Sequence, residues 1–460
     1  MSRAALRSVS ARLGCGGAPR GVGTSRGARC YSLATYKLPK GLEDRLASPC
    51  LIIYAEQVRS NIRKVLEACG NDVTRWRPHV KTTKCSWVFG ELVEHGVREF
   101  KCATVREAEV LATVIDMKSE DPRCSILVAM AHTGPNLVRL ARCAAEYPHI
   151  RMAVLAESTD GVAEILKTSD LLGVYVDVNP PGMDRSGCSF DAAYDVAMAA
   201  NDRFRGLHLY DGHASTGTAA ERAPMLEKGY DALLALDARL PFKADLVTSG
   251  TPAFMAALAH AGLTATNRHA VSPGTVVFSD MACEAQVPEL GLEPAALVFS
   301  RVISTPASGK FTLDAGHKAV SADAGVPTCR VLTDGAFDMN FEPARPSEEH
   351  LPVRFAADAP VSPQRGDSFY LFPRHVCPTV NLAEDALLVD GDSTFVDAIS
   401  IIRIDARGHD VDRDSPLFGD RERKPLKMWM WDLDESNEDW GGAEHAGRPS
   451  GYEHTGMPSR

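Results

Sequence analysis

The chain has 460 residues, 45% of them hydrophobic and 24% charged, with a net charge of −10. This is the composition of a soluble globular protein long enough for two or more domains, and no apolar run approaches the roughly 20 residues of a membrane helix. The acidic balance gives no reason to expect nucleic acid or a membrane as partner.

Residues 1–40 depart from that balance: Arg3, Arg7, Arg12, Arg20, Arg26, Arg29, Lys37 and Lys40 appear with no acidic residue among them. Leu6, Val9 and Leu13 share a helical face while arginines and serines fill the others, the pattern of an organelle transit peptide. The expectation is a cleaved segment 1–31, processed after Tyr31, and a mitochondrial matrix location, with plastid or cytoplasm as alternatives.

From about residue 45 to 283, short β-branched runs alternate with amphipathic helical ones, the spacing of βα units. The runs are 50–55, 74–81, 99–105, 125–130, 151–157, 173–179, 204–211, 244–249 and 275–279, with helices such as 84–95 and 106–115 between them. So many parallel crossovers predict an α/β fold with a TIM-type (β/α)8 barrel. Nine runs for eight places assign 50–55 to a neighbouring domain, so that 74–81 opens the barrel. From 284 to 408 the helical period disappears, and 298–303, 311–314, 368–372 and 386–389 read as strands of a second, mainly β domain. Residues 409–460 form a charged tail, expected to be disordered, with Trp429, Trp431 and Trp440 as its large anchors.

The twelve cysteines include no Cys-x-x-Cys pair, which excludes a zinc-ribbon pattern and gives no disulfide framework. Most read as reduced, buried thiols. Cys377 stands apart, because in His375-Val376-Cys377 an extended segment would project an imidazole and a thiol to the same side, a pair suited to a divalent metal.

Lys81 closes Arg77-Pro78-His79-Val80-Lys81 at a strand end, where barrel enzymes place their chemistry. A lysine desolvated there has its amine available for Schiff-base formation. Two turns of small residues at later strand ends can present backbone N–H groups to a phosphate: Ser249, Gly250 and Thr251 in one, Gly274 and Thr275 in the other. Arg185 lies between Gly182 and Gly187 in a third rim loop, and Tyr210, Asp211 and His213 end another strand.

These residues carry a resemblance. Arg77 to Lys81, Cys102 to Glu109, Asp314 to Ala319, Ser347 to His350 and His375 to Thr379 follow in the order of the eukaryotic-type D-serine dehydratase and D-threonine aldolase family, over roughly 45–408. That family consists of pyridoxal-phosphate enzymes with an alanine-racemase-type barrel. The resemblance implies that Lys81 makes the Schiff-base link to pyridoxal 5′-phosphate and that Arg185 faces the ring nitrogen. It implies further that His375 and Cys377 bind a divalent metal; Tyr210 and the two turns are cofactor contacts expected from their place at the strand ends, Tyr210 with the substrate as its alternative partner. Zinc suits an imidazole and a thiolate, with manganese or magnesium as alternatives. It also implies a homodimer and a small D-amino acid substrate.

The expected reaction is dehydration of a D-3-hydroxy amino acid, such as D-serine or D-threo-3-hydroxyaspartate, to a keto acid and ammonia. The alternatives are D-threonine aldolase cleavage and a non-catalytic cofactor carrier. A cysteine at 377, where aldolases carry aspartate, favours elimination. Glu349 and His350 are offered as residues behind the metal ligands. Thr83 and Val276 depart from the family's histidine and tyrosine, so cofactor identity is better specified than substrate preference.

Overall fold

The first strand, β1 (Cys50–Tyr54), leaves the barrel to the strands that follow it. Those are β2 (Glu99–Cys102), β3 (Ser125–Val128), β4 (Arg151–Ala156), β5 (Gly173–Val178), β6 (Phe204–Leu209), β7 (Asp245–Thr248) and β8 (His269–Val271), parallel and side by side in chain order. β3, β4 and β5 read as near-continuous apolar runs because both faces are covered, one by helices and one by the barrel interior. β5 shows this best, with all six residues buried. Thr104, Ser158, Ser189 and Thr218 cap helices that return to the next strand, Thr104 in a reciprocal box with Glu107 before Val105–Lys118.

The eighth place of the barrel is taken by the lysine segment, and it is not a regular strand. Val73–Arg75 is a 3-10 turn, and Pro78 has no N–H to give to a ladder. The segment is held by single bridges, Trp76 to Val271 on β8 and His79 to Lys101 on β2. The expected strand at 275–279 is likewise absent: Thr275–Val277 is a 3-10 turn, and the barrel strand in that region is the three-residue β8. Val276 and Val277 are fully buried, so an apolar β-branched run marked burial there and not extended structure.

The second sheet contains β9 (Ala296–Ala307), β10 (Lys310–Leu313), β11 (Cys329–Thr333), β12 (Ala336–Phe337), β13 (Phe341–Pro343), β14 (Leu351–Phe355), β15 (Ser368–Pro373), β16 (Asp385–Val389) and β17 (Ile399–Arg403). β1 lies inside it, antiparallel to β9 and parallel to β16, so the 50–55 run does belong beside the barrel. Tyr36, Ile52, Tyr54, Phe299, Tyr370 and Phe372 form its core, each large side chain contributing about 1.5–3 kcal/mol by leaving water.

This computed structural model describes residues 33–412 apart from 244, 334–335, 338–340, 357–361 and 392–397. The expectations for 1–31 and for the tail beyond 412 lie outside those residues. Both lobes belong to one compact unit, and no described helix is long and apolar enough to cross a membrane. The ten described cysteines are free thiols, and all but Cys50 and Cys377 are buried.

Candidate functional site

A cavity of about 300 Å³ opens among the ends of the barrel strands, with Lys81, Lys101, Arg185 and Tyr210 in its wall. Lys81 follows directly on the bridge at His79, which fixes the lysine over the barrel interior. Burial lowers its pKa, Arg185 lowers it further, and the Cys377 sulfur works in the opposite direction. The net shift is downward, which brings the neutral amine that a nucleophile or proton acceptor needs within easier reach.

Tyr210 organises the cations of the cavity. The Arg185 guanidinium lies over its ring at 4.4 Å, with Lys81 Nζ and Lys101 Nζ each 5.8 Å from the ring centroid. The Arg185 loop needs its flanking glycines: Gly182 and Gly187 sit at φ +86° and +94°, and a Cβ on Gly187 would lie 2.8 Å from the Asn179 nitrogen. Below Arg185, Ser186 Oγ donates to Asp177 at 2.9 Å, and His208 Nδ1 meets the other oxygen of the same carboxylate at 2.7 Å. Burial holds the His208 pKa down at about 4, so a neutral imidazole donates its Nδ1 proton to Asp177. His79 is pushed below its usual range by burial and by Lys81 and Lys101.

The two turns differ. Ser249 has left-handed backbone (φ +63°), and its Oγ donates to Asp211 Oδ2 at 2.7 Å, while Gly250 N–H donates to Asp211 Oδ1 at 3.2 Å. Asp211 also accepts from Tyr230 at 2.8 Å, so most donors of that turn are already used, and Asp211 is itself a structural acceptor. The second turn is freer. Ser272 Oγ is buried without a partner, and among the described residues no acceptor meets the N–H groups of Thr251, Gly274, Thr275 or Val276. Gly274 must be glycine, since a Cβ would fall 2.2 Å from the His79 carbonyl oxygen. Unused amides beside an orphaned buried hydroxyl fit a phosphate. His213, on the Arg185 side, has both ring nitrogens buried and unpaired.

His375 and Cys377 come to the same mouth from the second lobe, by a different local structure from the one expected. His375 is the N-cap of a helix at Val376–Leu382, and Pro378 is tolerated there because the first turn needs no N–H from it. Asp280 Oδ2 accepts the Val376 N–H at 2.9 Å and ties this helix start to the end of the barrel. The Cys377 sulfur lies 3.1 Å from Thr82 Oγ1 and 3.4 Å from Thr275 Oγ1. Burial raises the thiol pKa, and the hydrogen bond and charge of His375 together with the Thr275 hydrogen bond outweigh it, leaving Cys377 below its ordinary value. Among the described residues no three His, Cys, Asp or Glu side chains converge as a metal cluster.

A two-ligand site remains compatible with this donor set, and its supporting carboxylate is one that sequence reading missed. Asp323 Oδ2 lies 2.7 Å from His375 Nδ1, an arrangement that leaves Nε2 to a metal. Glu349 instead pairs with Lys318 on the surface, and His350 is exposed. No sequence signal connects Asp323 to His375 across 52 residues. Lys101, also missed, did leave a signal: a lysine between Phe100 and Cys102 in a barrel strand.

Comparison with known proteins agrees with this architecture. Residues 53–281 match the alanine racemase N-terminal domain, and residues 295–389 match the putative serine dehydratase domain. The chain is 27% identical to a D-threonine aldolase of Arthrobacter sp, over 79% of this chain and 93% of that protein. It is 21% identical to a D-serine dehydratase of Dictyostelium discoideum, over 77% and 96%. Among solved structures, D-threonine aldolase from Filomicrobium marinum superposes with a TM-score of 0.69 at 23% identity, covering 83% of this chain and 99% of that one. With both domain matches in the expected order, the chain belongs to the family of D-serine dehydratases and D-threonine aldolases built on the alanine-racemase-like fold.

Proposed function

We propose that the protein is a pyridoxal-phosphate- and metal-dependent lyase of D-3-hydroxy amino acids, dehydrating D-serine or D-threo-3-hydroxyaspartate to a keto acid and ammonia. The observation that carries this reading is the meeting of a desolvated lysine and a histidine-positioned thiol at one barrel mouth: Thr82, the residue after Lys81, touches the Cys377 sulfur.

Pyridoxal phosphate would supply an electron-accepting ring conjugated to the substrate's α-carbon, and a divalent ion would supply a Lewis acid for the β-hydroxyl. The unused amides at Gly274, Thr275 and Val276, with Ser272 Oγ, would hold the phosphate. Ser249, Gly250 and Thr251 would close its other side, mainly through Thr251. Lys81 would hold the cofactor and exchange the α-proton at its Nζ. Arg185 and Tyr210 would position the ring, with Arg185 at its nitrogen. His375 and Cys377 would hold the metal, zinc being favoured by the sulfur donor, and Asp323 would fix the imidazole.

Retro-aldol cleavage to glycine and an aldehyde is the second reading, favoured by the higher identity to the Arthrobacter D-threonine aldolase. The proposal extends to a homodimer and to the mitochondrial matrix after loss of residues 1–31, the latter resting on the acid-free basic start of the chain. Product identification tests the reaction: residues 32–460 with pyridoxal phosphate and zinc are given D-serine, D-threonine and D-threo-3-hydroxyaspartate. Keto acid with ammonia, abolished by a chelator, is the expected result. Glycine with an aldehyde moves the assignment to aldolase, and no product from any of the three sinks both readings.

A further inference from the structure

Lys101 is a buried cation that the proposed chemistry leaves unused. It lies on β2 and is 2% exposed, yet it forms part of the cavity wall. Among the described residues its Nζ meets no hydrogen-bond acceptor. Burial and the neighbouring Lys81 hold its pKa down at about 7. A buried lysine without a partner costs stability unless something polar completes it, and its nearest recorded ring contact is the Tyr210 face that it shares with Lys81 and Arg185.

Strand order indicates what completes it. The lysine segment stands between β8 and β2. Val80 N–H donates to the Lys101 carbonyl at 2.8 Å, and Lys101 N–H donates to the Pro78 carbonyl at 3.0 Å, so Lys101 is the direct lateral neighbour of the segment that carries Lys81. On the other flank lie the free amides of the turn after β8. In pyridoxal phosphate the aldehyde carbon at position 4 is flanked by the phosphate arm at position 5 and by an oxygen at position 3. With position 4 at Lys81 and the phosphate arm over the β8 turn, the 3-oxygen points toward β2. The substrate would enter from the side of the second lobe, where Cys377 stands, whereas Lys101 faces the cavity from within the barrel.

We propose that Lys101 is a cofactor-binding residue that donates a hydrogen bond to the 3-oxygen of the pyridine ring and stabilises it as an anion. The inference rests on the cofactor reading above. It gives this site a cation on the ring oxygen in addition to Arg185 at the ring nitrogen. The charged and titratable groups around Lys101 are Lys81, Asp177, Asp211, Arg185, His79, His208 and Tyr210, and all of them are unchanged in the variants below.

The test is spectroscopic. Wild type, Lys101→Met and Lys101→Gln are loaded with pyridoxal phosphate, and the visible absorption of the bound cofactor is titrated with pH, with circular dichroism as the check on folding. Methionine conserves the volume of the stem, and glutamine is the second variant should the first fail to fold. An opposite charge beside an acidic group typically lowers its pKa by about 1–3 units, so the spectral midpoint should move up by about that much in Lys101→Met, and cofactor affinity should fall. An unchanged midpoint in a folded, loaded variant overturns the assignment. Borohydride reduction of the wild type followed by mass spectrometry separates the two levels: no pyridoxyl adduct on Lys81 overturns the cofactor reading and this inference with it, whereas an adduct with an unshifted Lys101→Met titration overturns the Lys101 role alone.

Discussion

Arg77 and Lys81 stand four residues apart on one segment, and the barrel surrounds them in opposite ways. At the lower end, Arg77 donates to Tyr175 Oη at 2.7 Å and lies 3.1 Å from Glu99 and 3.5 Å from Asp245, while Tyr175 Oη donates to Asp245 at 2.5 Å. Burial opposes the guanidinium charge, and Tyr175 and the two carboxylates outweigh it. The void left there is about 30 Å³, a tenth of the cavity around Lys81. At the upper end burial keeps His79 and His208 neutral and holds the Lys101 pKa down at about 7, and buried hydroxyl and imidazole atoms lack partners. One end pairs its charges internally, leaving only Arg77 Nε without an acceptor among the described residues, and is structural; the other keeps several polar groups unsatisfied for a ligand.

If that division is right, losses at the two ends must differ in kind. The largest effect belongs to Lys81→Ala, which should lower turnover by ~10³-fold or more, since a proton-transferring group alone contributes about 10²–10⁴. The variant should melt close to the wild-type temperature, and a parallel loss of fold would break the comparison. Next comes Arg77→Met: leaving Tyr175, Glu99 and Asp245 without their cation should cost about 3 kcal/mol in chemical denaturation, with the bound-cofactor spectrum per folded molecule unchanged.

The smallest effect sharpens the contrast in protonation. The folded chain holds His208 at about 4, whereas an unfolded histidine titrates near 6.5. Between those values the unfolded chain binds a proton that the folded chain refuses, so the stability present above pH 6.5 is lost as pH falls toward 4. From pH 6.5 to 5 this amounts to about 2 kcal/mol. Denaturation curves at pH 7 and pH 5 should show that much less acid sensitivity in His208→Gln than in wild type, and equal sensitivity would show that the imidazole already charges inside the fold.

How far each part could be read beforehand follows from the kind of signal it leaves. Strands β2 to β7 were legible as short runs between helical periods, most plainly β3 to β5, because parallel strands covered on both faces become continuous apolar runs. β8 was not, being three residues long and beginning with a histidine; the Thr275–Val277 run imitated a strand because burial alone selects the same side chains. Lys81, Arg185 and Tyr210 do converge on one cavity, and Cys377 does touch the barrel. The helix under Cys377 was hidden by β-branched residues and Pro378, which suit extended structure unless the proline falls in a first helical turn. The spending of Ser249 and Gly250 on Asp211, and the pairing of Asp323 with His375, were invisible because side-chain contacts between distant segments have no local period.

The position of β1 between β9 and β16 bears on how the molecule can be dissected. The second sheet is begun by residues 50–54 and resumed only at residue 296, which makes the barrel an insertion within it and not a module placed before it. A single cut near residue 290 would therefore yield no independent pair of halves: one fragment would carry a stray hydrophobic strand, and the other would lack the strand on which its sheet is assembled. Separating the lobes requires two cuts and a graft of β1 onto the C-terminal piece.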